Sequence, residues 1–181
     1  LSVKSLFIGE SNPTKAGINS LISNFQRMKY RPYFEPSSKP MTFDGVQFGL
    51  EYGITNTVGK ISEIESIQII RQVITEGIEY IDTAAAYGQS EKVIGKALRD
   101  GWSNRVKVIS KLLPFDDEAL KAPKDSSLPL RVRNSILQSC VNLGVECIHT
   151  LMIRGAKHLK NNLVLSELKL IREEGLIQNI G

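Results

Sequence analysis

The stretch of sequence that decides the fold is residues 80–91, which read YIDTAAAYGQSE. It opens with a short predicted strand, Tyr80–Asp82, and continues through a loop that contains Tyr87. A helix is predicted over residues 90–100, and Gly101 follows it at a position where glycine commonly ends helices. A strand that leads so directly into a helix is typical of a βαβ unit.

The same alternation of strand and helix continues on both sides of this stretch. Four further strands are predicted from short apolar runs at residues 46–50, 106–110, 148–153 and 177–180. Three further helices are predicted between residues 62 and 77, 129 and 144, and 163 and 174. Strands that alternate with helices of 10–15 residues indicate a parallel sheet.

The helix that begins after Ser62 carries the clearest local signals. Ser62 and Glu65 have the spacing of a capping box, in which the serine oxygen accepts from the amide three residues later. Gly77 stands where the helix is expected to stop. Four isoleucines recur at helical spacing and are predicted to form its buried face. They are Ile64, Ile67, Ile70 and Ile74.

Two architectures fit parallel βαβ units, a doubly wound sheet and a (β/α)8 TIM barrel. The α/β barrel is favoured because a dinucleotide-binding GxGxxG motif does not follow the first strand. A complete barrel takes about 250 residues and eight strands. We therefore expect residues 43–181 to be a barrel truncated to about its first five strands. Residues 1–42 are expected to be an N-terminal extension, a linker or the tail of an upstream domain.

Composition excludes several classes of function. The net charge is +4 and the basic residues are scattered, so a nucleic-acid partner is not expected. No signal peptide and no apolar run long enough to cross a membrane is recognisable, which predicts a cytoplasmic protein with no membrane partner. Cys140 and Cys147 lack a CxxC spacing or a histidine cluster, so no metal site is expected.

Polar side chains stand at the C-terminal ends of successive predicted strands. Asp82 ends the second strand, Lys111 the third and Arg154 the fourth, while Tyr87 lies in the loop after Asp82. Barrel enzymes place their active sites at this end of the strands. An ammonium group near a tyrosine favours its phenolate form, and an aspartate beside the lysine would orient it. These residues together predict proton transfer to a carbonyl oxygen.

Several segments, in the right order, resemble the aldo-keto reductase family. Residues 80–91 resemble its signature, which reads aspartate-threonine-alanine, then tyrosine-glycine, then glutamate. Residues 108–111 resemble the family's third strand with its lysine. Residues 139–145 and 175–181 resemble the helix before the fourth strand and the approach to the fifth. Residues 45–54 are similar to members found beside polysaccharide and flagellar sugar genes.

The resemblance implies an NADP-dependent oxidoreductase that reduces an aldehyde, ketone or sugar carbonyl by hydride transfer. It implies catalytic roles for Asp82, Tyr87 and Lys111, with Arg154 in contact with the substrate. It also implies that Gly49 and Asp82 contact the NADP(H) cofactor. The expected partner is a small-molecule carbonyl substrate, and the oligomeric state is left open.

The chain departs from the family pattern at one catalytic position. The family has a histidine at the end of the fourth strand, where this chain has Arg154; His149 is expected at the opposite end of the barrel and His158 in the following loop. A second cation would favour the phenolate further or attract an anionic substrate. We therefore expect altered substrate preference or weaker reduction. The alternative is a catalytically weakened nucleotide-binding or regulatory subunit.

Overall fold

Parallel strands and helices alternate along the part of the chain that the structure describes. This computed structural model describes residues 41–51, 59, 61–116 and 127–181. The strands are β1 (Thr42–Asp44), β2 (Tyr80–Asp82), β3 (Lys107–Lys111), β4 (Ile148–Met152) and β5 (Ile177–Ile180). The α-helices are α1 (Glu63–Thr75), α2 (Ser90–Ala97), α3 (Ser127–Leu143), α4 (Ala156–Leu159) and α5 (Asn162–Glu173). Short 3₁₀ helices occupy Val46–Phe48 and Trp102–Arg105.

The strand order distinguishes the two architectures that the sequence allowed. The five strands form one sheet in the order β1-β2-β3-β4-β5, and all four neighbouring pairs are parallel. A doubly wound sheet reverses its order at a switch point near the middle. A strictly sequential parallel order is that of a (β/α)8 barrel, so the predicted fold class is confirmed.

The two faces of the sheet have opposite character. Ile81, Val108 and Leu151 are almost completely buried on the face that the helices cover. Asp82 and Lys111 project from the other face, because side chains alternate along a strand and paired residues of a parallel ladder share a face. The helices therefore hold the sheet by apolar packing, and Asp82 and Lys111 lie on the side away from them. Within the described ranges, every helix is too short or too polar to cross a bilayer.

The first strand is the clearest error of the sequence prediction. Residues 46–50 were expected to form a strand, but Val46–Phe48 is a 3₁₀ helix and the strand lies earlier, at Thr42–Asp44. The Asp44 carboxylate accepts a hydrogen bond from the Val46 amide at 2.9 Å, and the Phe48 amide donates to the Gly45 carbonyl at 3.0 Å. These bonds close the chain into a turn. The apolar run reflects burial of Val46 and Phe48, not extended backbone.

The other predicted elements are confirmed, with ends that differ by a few residues. The serine half of the predicted capping box is present, since the Glu65 amide donates to the Ser62 hydroxyl at 3.3 Å. The Glu65 carboxylate accepts from that hydroxyl at 2.6 Å, whereas a capping box would have it accept from the Ser62 amide. Ile64 is the exception on this helix, since it is 72% exposed. It lies about 120° round the helix from the buried Ile70, beyond the edge of the apolar face.

A buried carboxylate ties three elements together on the helix-covered face. Glu91 of α2 is almost completely buried. It accepts hydrogen bonds from the Ser110 hydroxyl of β3 at 2.8 Å and from the Asn142 amide of α3 at 3.2 Å. A buried polar group is tolerated when it is hydrogen-bonded, and each carboxyl oxygen of Glu91 has a partner here. Glu91 thus fixes β3 one residue before Lys111.

We expect Glu91→Ala to lower the free energy of unfolding by about 2 kcal/mol or more, because the Ser110 hydroxyl and the Asn142 amide lose their buried acceptor. Urea unfolding measures the loss. Glu91→Gln keeps an acceptor of similar shape and is expected to cost less. The exposed Glu79 offers a control, since Glu79→Ala is expected to change stability by no more than about 0.5 kcal/mol. Equal losses for Glu91→Ala and Glu79→Ala would contradict the role of Glu91.

Candidate active site

A close ion pair lies at the C-terminal ends of β2 and β3. The ladder pairs Asp82 with Ile109, so Lys111, two residues further along, projects from the same face as Asp82. The Lys111 ammonium is 2.5 Å from a carboxylate oxygen of Asp82 and donates to the carbonyl oxygen of Thr83 at 3.0 Å. These two bonds fix the ammonium group in position.

Partial burial shifts the pKa of Asp82, the acidic member of this ion pair. The side chains of Lys111 and Asp82 are only 16% and 24% exposed. Burial raises the pKa of the Asp82 carboxyl above its ordinary value of 3.8, and it does so more strongly than the hydrogen bond and charge of Lys111 lower it. The nearby charge of Asp44 also raises this pKa. Asp82 therefore sits in a site where ionisation is costly, which is a common property of functional carboxylates.

Tyr87 lies next to the ion pair. The Lys111 ammonium is 5.1 Å from the centre of the half-buried Tyr87 ring. The loop that carries Tyr87 is closed at both ends, since the Tyr87 amide donates to the Ala84 carbonyl at 2.9 Å and the Ser90 amide donates to the Tyr87 carbonyl at 3.0 Å. The structure thus brings together the three residues that the sequence selected from residues 80–91 and 108–111.

Arg154 completes the group on the neighbouring strand. Lys111 pairs with Met152, so Arg154 lies two residues beyond the end of β4 on the side next to Lys111. Its guanidinium carbon is 6.0 Å from the centre of the Tyr87 ring. Tyr87 therefore has two cations near it, one from β3 and one from the segment after β4.

The two histidines occupy other places. His149 is the second residue of β4, and its ring packs edge-on against Tyr80 at 5.5 Å, at the N-terminal ends of the strands as expected. His158 is buried on α4, where its Nε2 accepts the Phe115 amide at 3.0 Å. A neutral imidazole that accepts at Nε2 carries its proton on Nδ1. Neither residue stands at the end of β4, where Arg154 lies.

Gly49 has a packing role that the sequence did not reveal. A Cβ atom on Gly49 would lie 1.6 Å from the Tyr87 carbonyl oxygen and 2.6 Å from the Ser90 amide nitrogen. On the other side of this contact, a Cβ on Gly88 would lie 2.5 Å from the Gly49 carbonyl oxygen. The segment after β1 and the Tyr87 loop thus meet backbone against backbone. The cofactor contact expected of Gly49 stays a prediction.

Sequence reasoning missed two hydroxyl groups that anchor the site. Thr83 and Ser90 are completely buried, and their hydroxyl oxygens are 2.9 Å apart. The Ser90 hydroxyl also donates to the Gly45 carbonyl at 2.7 Å. These bonds join the ends of β1 and β2 to the start of α2. The available signal was the position of Thr83, a small polar residue directly after the end of β2.

The sequential parallel sheet defines the α/β barrel. The ion pair and the adjacent tyrosine form its polar site at the C-terminal ends of the strands. The family model for the aldo/keto reductase family matches residues 45–181. Because this match covers most of the chain, the chain belongs to the aldo/keto reductase family.

Solved structures of the family resemble this chain over its matched length. An aldo-keto reductase from Pseudomonas aeruginosa is 26% identical with a TM-score of 0.62, over 83% of this chain and 58% of that one. A Klebsiella pneumoniae aldo/keto reductase, crystallised with NADP and acetate, is 25% identical with a TM-score of 0.53, over 66% and 39%. The holo form of a Bacillus halodurans aldo-keto reductase is 19% identical with a TM-score of 0.58, over 77% and 45%, and shows the fold alone. The chain therefore spans less than two thirds of the length of these relatives.

The close contact at Gly49 gives a first prediction for the site. Gly49→Ala is expected to lower the free energy of unfolding by about 3 kcal/mol, because backbone atoms must move to admit the methyl group. Gly101→Ala is a matched control, since its φ of +84° is strained for alanine but no atom lies within 4 Å. The control is expected to cost about 1–2 kcal/mol. Denaturant unfolding compares the two, and an equal or smaller loss for Gly49→Ala would rule out the backbone contact.

The raised pKa of Asp82 gives a second prediction. In the folded chain this carboxyl keeps its proton at pH values where the unfolded chain has lost it. Its contribution to stability is therefore present below the ordinary pKa of 3.8 and is lost as pH rises through the raised value. Relative to Asp82→Asn, the unsubstituted chain is expected to lose stability as pH rises from about 3 to about 7. Urea unfolding across this range tests the trend, and a difference that does not vary with pH would refute it.

Proposed function

We propose that the chain carries the proton-transfer half of an NADP(H)-dependent carbonyl reductase, acting on an aldehyde, ketone or sugar carbonyl. The observation that carries this proposal is the position of the Lys111 ammonium. It is held by Asp82 and the Thr83 carbonyl while lying 5.1 Å from the Tyr87 ring. In this position the ammonium charge is close enough to favour the ionised form of the tyrosine.

The donor set fits the reacting end of a nicotinamide cofactor. The Tyr87 ring and two cations lie together near the C-terminal ends of the strands, and Asp82 and Gly49 are the residues predicted to contact the cofactor. When bound, a reduced nicotinamide supplies the hydride, which is the part of the chemistry that side chains cannot provide. Family membership and the relative crystallised with NADP support this choice of cofactor.

The residues of the chain then act on the carbonyl oxygen. The Tyr87 hydroxyl donates its proton to that oxygen as negative charge develops there. The Lys111 ammonium stabilises the phenolate that remains, because an opposite charge within a few ångströms favours the ionised form. Asp82 and the Thr83 carbonyl keep the ammonium in place, so little reorganisation is needed during the reaction. Arg154 contacts the substrate from the adjacent strand end.

A second candidate function follows from Arg154 standing where the family has histidine. A barrel altered at this position could bind nucleotide without efficient turnover and serve as a regulatory subunit. Saturating NADPH with a panel of neutral and anionic aldehydes distinguishes the two functions. NADPH binding with no reduction of any aldehyde would favour the regulatory function, whereas turnover would exclude it. The cytoplasmic location and the lack of nucleic-acid and membrane partners stay predictions.

The mechanism predicts large losses from two substitutions. Tyr87→Phe and Lys111→Met are each expected to lower kcat by about 10²–10⁴-fold, because proton donation or its support is lost. The rate is followed as oxidation of NADPH at saturating aldehyde. Tyr80→Phe is the matched control, since Tyr80 begins β2 and lies at the opposite end of the strand from Asp82. Full activity of Tyr87→Phe would overturn the proposed mechanism.

A further inference from the structure

We propose that Arg154 makes this site selective for carbonyl substrates that carry an oxyanionic group, either a carboxylate or a phosphate. The inference rests on the proposed function and adds the substrate class to it. A second cation beside Tyr87 can either stabilise the phenolate or attract an anion. The position, the charge and the hydrogen-bonding state of Arg154 each support the second effect.

The main chain directly before Arg154 is held by both neighbouring strands. The Leu112 amide, next to Lys111, donates to the Met152 carbonyl at 2.9 Å. The Ile153 amide donates to the Gly181 carbonyl at 2.8 Å. Arg154 thus leaves the sheet from a point held by both neighbouring strands. Its guanidinium reaches the vicinity of Tyr87 from a defined direction, 6.0 Å from the ring centre.

The two cations near Tyr87 differ in their charge balance. Lys111 is neutralised by Asp82 at 2.5 Å and already uses a second donor on the Thr83 carbonyl. Arg154 is exposed, and no carboxylate of the described ranges lies within ion-pair distance of it. The positive charge of Lys111 is therefore compensated, whereas that of Arg154 is available to a ligand.

The chemistry of the guanidinium selects the same ligand. Its planar fork presents paired N–H donors that match two oxygens of a carboxylate or phosphate, a geometry that a single carbonyl oxygen does not use. No hydrogen bond from the Arg154 guanidinium to another described residue is present, so its donors are free for a substrate. Support of the phenolate needs no second cation, because the oriented Lys111 ammonium already lies 5.1 Å from the ring.

The kinetic test compares aldehydes that carry an anionic group with related aldehydes that carry none. We compare 3- and 4-formylbenzoate with their methyl esters, and 4-formylphenyl phosphate with 4-methoxybenzaldehyde, at saturating NADPH. The chain is expected to prefer the anionic member by about tenfold or more in kcat/KM, the size of a charge-assisted hydrogen-bonded contact. In Arg154→Gln the ratio is expected to fall to about one, and Arg154→Lys should keep only part of it. The carboxylate and phosphate pairs show which oxyanion is preferred.

A binding test without cofactor separates this inference from the proposed function. Isothermal titration of 4-formylbenzoate and its methyl ester into the chain measures anion selectivity without turnover. Arg172→Gln removes one exposed charge from α5, which leads to the opposite end of the sheet, and controls for net charge. Selective binding that Arg154→Gln abolishes and Arg172→Gln retains supports the inference, even if no aldehyde is reduced. Equal binding and equal turnover of anionic and neutral probes would overturn the inference while leaving carbonyl reduction intact.

Discussion

Parallel pairing of β2 with β3 in one fixed register is the constraint on which the site depends. Side chains alternate between the faces of a strand, so the pairing of Asp82 with Ile109 places Lys111 on the same face as Asp82. A slip of one residue would turn Lys111 toward the apolar helices and expose Val108. The register is therefore held by burial on one face and by the ion pair on the other. The packing that stabilises the sheet also assembles the chemistry.

The net charge around Tyr87 distinguishes this site. A neutral histidine at the end of β4 would leave the compensated Lys111–Asp82 pair as the main charged feature beside Tyr87. Arg154 adds a positive charge that no described carboxylate neutralises. Tyr87 and Lys111, the proposed proton donor and its supporting lysine, thus lie in a more positive environment. Under the proposed function, family membership suggests the type of reaction, and this local charge bears on which carbonyl compounds are selected.

The predictable part of the fold came from patterns that depend on neighbours in sequence. The serine cap at Ser62 follows from a short motif, and most strand and helix positions follow from local periodicity; both are confirmed. The errors arise where packing overrides the pattern. Residues 46–50 look like a strand but form a turn capped by Asp44, and Ile64 lies beyond the buried edge of its helix. The roles of Glu91 and Ser110 depend on partners far along the chain, so no local signal indicated them.

The sequence by itself determined that strands and helices alternate and that Asp82, Tyr87, Lys111 and Arg154 lie in loops or at strand ends. It could do so because alternation, capping and short motifs are encoded by residues close together in the chain. Only the tertiary structure decided that Lys111 is bound by Asp82, that both cations face Tyr87 and that Arg154 has no described acidic partner. Only it showed that Gly49 is required by a backbone contact with the Tyr87 loop. Distances between atoms remote in sequence are fixed by strand register and helix packing, which no local pattern specifies.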